Sequence, residues 1–138
     1  MPVFKIGDFG SATKDHSIDY KQAPKRDIGK FLGRIEKQCT RMYRAPEMLD
    51  QYQGFNVDGH RTDVWMLGCV LYVLATGNRH PFQDVPNLTI LNAQYNLDET
   101  ERDNLRNLSE SIKDLIRAML VTNPDDRLTL SQLRAYLI

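Results

Sequence analysis

Residues 63–76 read Asp-Val-Trp-Met-Leu-Gly-Cys-Val-Leu-Tyr-Val-Leu-Ala-Thr, and this stretch decides the fold. Thr62 is a good N-cap before it, and Gly77 is a good stop after it. Because the interior is apolar on every face, the stretch predicts the central helix of a domain rather than a surface helix. Its most apolar part, residues 64–75, is about twelve residues long, whereas a bilayer needs roughly twenty, so no membrane span is predicted.

The composition is that of an ordinary globular protein, with 41% apolar and 26% charged residues in a chain of 138. The formal net charge is zero, so bulk electrostatics favour neither nucleic acid nor a membrane surface as a partner. Cys39 and Cys69 have no metal-ligand spacing and suggest no disulfide framework, which favours reduced thiols and a cytoplasmic location. Met1 is not followed by a charged and then an apolar segment, so no secretory signal is predicted.

Upstream of the central helix the pattern is less regular. Val3–Ile6 alternates well enough for one short strand, which Gly7-Asp8 would end. Residues 11–38 are polar and aperiodic, with proline and glycine as punctuation, and predict a long loop. Pro46–Leu49 suits a short helix with proline at its first position and an acidic residue in its first turn.

Downstream, three more helices are predicted. Residues 86–95 suit a short amphipathic helix, and Ser109–Leu120 a clearer one in which Ser111 to Asp114 fits a capping box. Thr129–Gln132 then caps a last helix that runs to the C-terminus. With one strand and about five helices, the pattern indicates a mainly α fold.

Two short motifs stand on either side of the polar segment: Asp8-Phe9-Gly10 and Ala45-Pro46-Glu47. The carboxylate of Asp8 is a hard oxygen ligand of the kind that holds Mg²⁺ against nucleotide phosphates. Taken alone, the first motif equally fits a glycine-ended turn after a strand. The ordered series of strand, first motif, second motif and apolar helix is much more specific than any one of its members.

Nearly the whole chain, from Val3 onward, resembles the C-terminal lobe of a eukaryotic protein kinase. Residues 8–13, Asp-Phe-Gly-Ser-Ala-Thr, are similar to the start of the activation segment in the Numb-associated kinases, which include the adaptor-associated and cyclin G-associated kinases. Residues 39–47, Cys-Thr-Arg-Met-Tyr-Arg-Ala-Pro-Glu, resemble the substrate-facing loop of that group. Three further stretches look most like the cyclin G-associated branch: His-Pro-Phe at 80–82, Leu-Ile-Arg-Ala-Met-Leu at 115–120 and Asn-Pro-Asp-Asp-Arg-Leu at 123–128.

The resemblance implies a partial kinase-like fold over residues 1–138. Residues 1–10 would form a strand and the metal-binding motif, residues 11–47 the activation segment, and residues 48–138 the helical lobe. In a complete kinase domain the Asp8 carboxylate would bind Mg²⁺, Phe9 would pack under the nucleotide and Gly10 would let the backbone swing.

Four matching positions carry further roles by resemblance. Thr40 would touch the catalytic aspartate, as in serine/threonine kinases; the alternative is a loop hydroxyl bonded to local backbone. Glu47 and Arg127 would form a buried ion pair that ties the activation segment to the late helices, for which the planar fork of arginine is suited. The alternative is two unrelated surface charges. Asp63 would cap the backbone of a catalytic loop.

Two of the remaining positions, Trp65 and Gly68, have packing roles on either interpretation. The segment between Lys14 and Arg44 carries nine Lys/Arg against four Asp/Glu, which fits a solvated loop and a phosphate- or partner-facing surface equally well. Hydroxyl groups of the predicted loop, residues 11–38, are candidate phosphorylation sites, since a phosphate there could pair with a nearby cation and order the segment. These candidates are Ser11, Thr13, Ser17 and Tyr20.

The printed sequence contains no glycine-rich phosphate loop, no nucleotide-binding lysine of the Val-Ala-Ile-Lys type, no His-Arg-Asp base and no catalytic-loop asparagine. ATP and Mg²⁺ are therefore expected to bind a complete domain and not this chain alone, which is expected to be inactive. One hypothesis is part of a serine/threonine kinase whose protein substrate, by resemblance, includes a clathrin-adaptor subunit at membranes. The other is a non-catalytic, kinase-like interaction module.

Overall fold

The computed structural model describes residues 1–14, 16–77, 79–97 and 108–138, and the described ranges are mainly helical. They contain no β-strand; an isolated antiparallel bridge joins Ile18 to Val57. The helices are α1 (Lys25–Gln38), α2 (Pro46–Leu49), α3 (Gly59–Thr76), α4 (Asn87–Leu91), α5 (Glu110–Met119) and α6 (Leu130–Tyr136). Short 3-10 turns cover Phe9–Ser11 and Arg41–Tyr43.

Helix α3 lies at the centre of the packing, as its composition predicts. It packs against α5, α6 and the turn at Arg41–Tyr43. A Cβ added at Gly68 would lie 2.9 Å from Leu120 Cδ2 and 3.0 Å from Met119 Cβ, so only glycine permits this approach of α3 to the end of α5. Its buried positions are Thr62, Val64, Trp65, Gly68, Cys69, Tyr72 and Thr76.

One stripe of α3 is nevertheless exposed. Leu67, Val70 and Leu74 are 45%, 41% and 75% exposed, and they follow Asp63 at helical spacing on the same face. Helix α3 thus has apolar residues on all sides, as expected from its composition. Among the described residues, however, other elements cover only part of its circumference.

The predicted start of α3 was wrong. Asp58, not Thr62, is the N-cap, because its carboxylate accepts hydrogen bonds from the backbone N–H groups of His60 and Arg61. Thr62 lies inside the helix, where its hydroxyl donates to the carbonyl of Gly59. The predicted stop was correct, since Gly77 closes the helix in the left-handed region at φ 71°.

The predicted long loop over residues 11–38 was wrong in its second half, which forms α1. Pro24 precedes the helix and Asp27 lies in its first turn. Phe31 and Ile35 are buried on the side that faces the core. Two glycines within α1 do not break it, because the burial of this apolar face offsets the roughly 1 kcal/mol that each costs relative to alanine.

The predicted strand Val3–Ile6 does not form. These residues are exposed and, in the described part of the chain, have no neighbouring strand with which to pair. A strand needs such a partner for its backbone groups. The whole segment from Met1 to Ala12 lies on the surface.

The other helix ends follow simple capping rules. Pro46 occupies the first position of α2, as predicted. Ser109 caps α5 through the Ile112 amide, so the predicted capping box at Ser111 was wrong by two residues. Thr129 and Gln132 form the predicted capping box of α6. Helix α4 spans only part of the predicted 86–95.

Aromatic packing completes the core beside α3. The rings of Trp65 and Phe82 stack with centroids 5.4 Å apart, and Tyr95 meets Phe82 edge-on at 6.0 Å.

Over the described ranges, no helix combines the length and apolar character needed to cross a bilayer.

Candidate functional site

The centre of the site is a buried ion pair between the short helix α2 and the segment before α6. Glu47 and Arg127 are almost completely buried. Arg127 Nη1 donates to Glu47 Oε1 at 2.8 Å and Nη2 donates to Oε2 at 3.0 Å. This two-pronged geometry matches the planar guanidinium to the planar carboxylate. The expected pair is therefore present, and the alternative of two unrelated surface charges is wrong.

Arg127 also donates hydrogen bonds to backbone carbonyls of two other segments. Nε donates to Val121 O at 3.0 Å, Nη1 to Arg61 O at 2.8 Å and Nη2 to Thr122 O at 3.4 Å. Together with the two bonds to Glu47, these use all five guanidinium N–H groups. A buried charge is tolerated in a protein when its donors are satisfied in this way.

Two neighbours fix the position of Arg127. Its guanidinium carbon lies 5.1 Å from the ring centroid of Trp65, a cation–π contact with α3. Arg61 Nη1 donates to the carbonyl of Arg127, while the carbonyl of Arg61 accepts from Arg127, so the two arginines are linked in both directions. Residues 47, 61, 65 and 127 thus join α2, α3 and the segment before α6 into one unit.

The loop of residues 39–44, which lies within the stretch 39–47 predicted to face the substrate, runs directly into this ion-pair network. Arg41 donates to Asn87 Oδ1 at 2.8 Å and to Val85 O at 2.6 Å. Arg44 donates to Cys39 O at 2.9 Å and to Glu36 O at 3.2 Å. One arginine therefore ties the loop to the start of α4, and the other ties it to the end of α1.

Within this loop Thr40 is exposed and its side chain does not cap the turn that follows it. Its carbonyl accepts from Tyr43 N at 3.0 Å, so the backbone turn is hydrogen-bonded while the residue itself is exposed. The ring of Tyr43 meets His80 edge-on at 4.4 Å. Burial lowers the pKa of His80 to about 4, so this imidazole is neutral at physiological pH.

Asp8, Phe9 and Gly10 lie apart from the ion-pair network, on the exposed N-terminal segment. Asp8 has φ 61° in the left-handed region, and Phe9 is 67% exposed. Among the described residues, no three His, Cys, Asp or Glu side chains are grouped to hold a metal ion. Since Mg²⁺ keeps near-octahedral oxygen coordination, one exposed carboxylate does not by itself provide a site for Mg-ATP.

Asp63 lies on the exposed face of α3 and lines a cleft of about 340 Å³. The cleft also receives Ser11, Thr13 and Ser17, but Asp8 and Thr40 are not among its lining residues. The structure therefore brings Asp63, a predicted structural residue, together with the hydroxyls of Ser11, Thr13 and Ser17 and not with the two candidate catalytic residues.

The candidate phosphorylation sites differ in exposure. Ser11, Thr13 and Ser17 are exposed. Tyr20 is half-buried and its hydroxyl donates to the carbonyl of Glu47 at 2.9 Å. Burial, followed by the Glu47 carboxylate, raises the pKa of Tyr20. Modification of Tyr20 would require this hydrogen bond to break.

Four contributors were not predicted from the sequence: Arg41, Arg44, Arg61 and His80. Arg41 and Arg61 act through backbone and amide contacts with residues far away in the chain, which carry no local signal. His80 belongs to the His-Pro-Phe stretch at 80–82, which resembles the cyclin G-associated branch. That resemblance did not predict the contact of His80 with Tyr43.

Comparison with known proteins gives one family over nearly the full length. The family described as "Protein kinase domain" matches residues 1–136. A probable serine/threonine-protein kinase of Dictyostelium discoideum is 35% identical over 134 residues, which is 97% of this chain and 15% of that protein. Actin-regulating kinase 1 of Saccharomyces cerevisiae is 33% identical over 130 residues, 94% of this chain and 19% of that protein.

A third relative, a serine/threonine-protein kinase of Botryotinia fuckeliana, is 30% identical over 138 residues, 99% of this chain and 12% of that protein. The chain thus spans less than a fifth of the length of each of these relatives. The matched range includes both the ion-pair network and the loop of residues 39–44. On this match the chain belongs to the protein kinase family.

Proposed function

We propose that this chain supplies the activation segment and the substrate-facing loop of a protein serine/threonine kinase. The observation that carries the proposal is the buried pair of Glu47 with Arg127, which holds the end of the activation segment against the helical lobe. A loop that receives a substrate must keep its shape while its side chains face outward. Arg41 and Arg44 provide that support, and Thr40 is the exposed hydroxyl of the loop.

In this proposal the complete protein transfers the γ-phosphoryl group of ATP to serine or threonine hydroxyls of a protein substrate. Asp8 would contribute one oxygen ligand to Mg²⁺, which in such enzymes neutralises charge on the phosphates. Thr40 would contact the catalytic aspartate, which favours serine and threonine over tyrosine. The described residues do not fit Mg-ATP on their own, so the chain by itself is proposed to be inactive.

The finer assignment is to the Numb-associated kinases, with a clathrin-adaptor subunit as substrate, in the cytoplasm at the surface of membranes. Its support is the resemblance of residues 8–13 and 39–47 to that group and of residues 80–82, 115–120 and 123–128 to its cyclin G-associated branch. A direct check compares phosphorylation of purified clathrin-adaptor subunits with that of unrelated basic proteins. Equal rates on both would contradict the finer assignment.

The test of the main proposal uses the natural full-length protein with Mg²⁺, γ-labelled ATP and a general basic protein substrate, followed by phosphoamino-acid analysis. We expect phosphoserine and phosphothreonine, and we expect Asp8→Asn to lose nearly all transfer. Asp125→Asn, at an exposed position of the same residue type, serves as the matched control and should retain wild-type transfer. Phosphotyrosine as the main product, or undiminished transfer by Asp8→Asn, would refute the proposal.

A second candidate function is a non-catalytic interaction module, and a specific observation favours it. The exposed stripe of Leu67, Val70 and Leu74 on α3 is an apolar surface of the kind that binds partners. If this function is correct, Leu74→Asp should abolish capture of a partner by the 138-residue chain, while Asp125→Asn should leave capture unchanged. Binding that survives Leu74→Asp would exclude this surface.

A further inference from the structure

The solvent face of α1 carries a straight row of cations. Because Phe31 and Ile35 bury the apolar side of this helix in the core, the opposite side faces solvent. Positions 26, 30, 34 and 37 follow one another on that side at spacings of three and four residues. The row is about 16 Å long, at about 1.5 Å of rise per residue. Its members, called the basic stripe below, are Arg26, Lys30, Arg34 and Lys37.

The charges of the basic stripe have few counter-charges. All of its members except the half-buried Arg34 are exposed. Arg26 pairs with its neighbour Asp27 at 3.5 Å, and an exposed pair of this kind contributes little. The described part of the chain provides no ion pair for Lys30 or Lys37. The stripe therefore presents positive charge that an external anion can neutralise.

Arg34 is held in place within the basic stripe. Its guanidinium carbon lies 5.5 Å from the ring centroid of Phe31, which is itself buried. Arg34 Nε is buried, and no acceptor among the described residues reaches it. A buried N–H group without a partner is rare, and a carboxylate is the strongest acceptor for a guanidinium. Because this cation is already positioned, it loses little side-chain freedom when a partner binds.

The helix surface beside the basic stripe is flat, because Gly29 and Gly33 lie next to it at helical spacing. A Cβ added at either glycine would have nothing within 4 Å, so packing in the described part of the chain does not require glycine there. Both residues weaken an α-helix relative to alanine. Their missing side chains let the backbone of a second molecule come close to the cations.

We propose that the basic stripe binds an acidic α-helical segment of a partner protein. Aspartate or glutamate side chains at three- and four-residue spacing on such a helix repeat about every 5–6 Å, as the cations of α1 do. A helix laid along the stripe therefore brings one carboxylate to each cation. Complementary charges of this kind determine which partner binds and in what register.

The surroundings of the basic stripe favour a narrow acidic helix over other polyanions. A membrane surface is broad and would also meet the carboxylates of Asp27 and Glu36, which lie on either side of the stripe. Helix α1 exposes no large apolar side chain that could enter a bilayer. It also exposes no aromatic ring on which the bases of a single-stranded nucleic acid could stack.

A partner on the basic stripe would lie next to the loop of residues 39–44. This loop follows α1 directly, and Arg44 fixes the junction by donating to Glu36 O at 3.2 Å and to Cys39 O at 2.9 Å. Binding to the stripe does not require phosphoryl transfer by the protein. The inference therefore stands or falls separately from the proposed kinase activity.

The test measures the binding of a fluorescently labelled helical peptide to the 138-residue chain by fluorescence anisotropy. One peptide carries glutamates at the spacing of the basic stripe, and a second peptide of the same composition has them spread around the helix. Lys30→Glu combined with Lys37→Glu should weaken binding of the first peptide by about tenfold or more. Lys5→Glu combined with Arg134→Glu changes the net charge equally at exposed positions outside the stripe, and should alter the affinity by less than about twofold.

Urea midpoints of the two double variants establish that both are folded. Lys30→Gln combined with Lys37→Gln removes the same two charges without adding carboxylates, and should also weaken binding several-fold. Equal binding of the two peptides, or an equal loss in the stripe and control variants, would overturn the proposal. Phosphatidylserine vesicles and single-stranded oligothymidine replace the peptide in two further arms. Stripe-dependent binding of either one, without stripe-dependent binding of the peptide, would overturn the assignment of a protein partner.

Discussion

Replacing Glu47 by glutamine should cost the chain a large part of its stability. The substitution keeps the shape of the side chain but leaves the guanidinium of Arg127, which is 1% exposed, without a counter-charge. Removing one partner of a buried ion pair typically costs about 3–5 kcal/mol. The free energy of unfolding of a small domain is only about 5–15 kcal/mol. A loss of about 4 kcal/mol from a total of about 10 kcal/mol would remove more than a third of the stability.

The assay is urea unfolding followed by tryptophan fluorescence. The chain has a single tryptophan, Trp65, which is fully buried and lies against Arg127, so its emission reports on the site that is changed. With a urea dependence of about 2 kcal/mol per molar, the midpoint should fall by about 2 M. Glu110→Gln removes an exposed carboxylate that pairs with Lys113 and should leave the midpoint nearly unchanged.

The hydrogen bonds of Arg127 also predict what happens when both members of the ion pair are replaced by apolar residues. Buried ion pairs can often be replaced by apolar residues at no loss. Here Glu47→Leu with Arg127→Met should still be destabilised by about 2–4 kcal/mol, because the Arg127 side chain also satisfies three backbone carbonyls that would lose their donors. If Glu47→Gln unfolds at the same urea concentration as Glu110→Gln, or if the apolar pair matches the wild type, the reasoning is refuted.

Three further outcomes follow from the packing and the helix ends. Gly68→Val should destabilise the chain by about 1–3 kcal/mol through collision with Leu120, whereas Gly33→Ala, with open space around its Cβ, should be neutral or stabilising in the same urea assay. The pKa of His80 is about 4 in the folded chain and about 6.5 in the unfolded chain, so protonation favours unfolding. The urea midpoint should therefore decrease as the pH is lowered from 6.5 to 4. The part of this decrease that His80 causes should be absent in His80→Gln. Thr129→Ala breaks the capping box of α6 and should cost about 1 kcal/mol, measured as a lower midpoint; no change would mean that the cap is not formed in solution.

The sequence predicts the centre of this molecule better than its beginning. The apolar run of α3, the Gly77 stop, the proline start of α2 and the capping box of α6 all depend on neighbours in the chain, and all are present. The pairing of Glu47 with Arg127 spans 80 positions and was accessible only through resemblance to a family. Local features such as periodicity and capping residues do not predict this ion pair.

The errors have local physical causes. Ile28, Phe31, Leu32 and Ile35 repeat at helical spacing in α1, but Gly29 and Gly33 interrupt this pattern and favour a loop when the sequence is taken alone. Val3–Ile6 alternates like a strand, yet a strand forms only where a second strand supplies the other half of its hydrogen bonds. The predicted start of α3 was wrong because both Asp58 and Thr62 are residue types that cap helices, and the apolar run begins only after Thr62.

The central claim is that the network around Arg127 holds the loop of residues 39–44 in place, and amide exchange of Arg127→Lys tests it most directly. Lysine keeps the charge but has three donors on one atom instead of a five-donor fork, so the fold should survive while the loop loosens. Amides of residues 41–50 should exchange at least several-fold faster, while those of α5 keep their rates; Arg134→Lys, exposed on α6, should change neither. Unchanged exchange in residues 41–50 would contradict the claim.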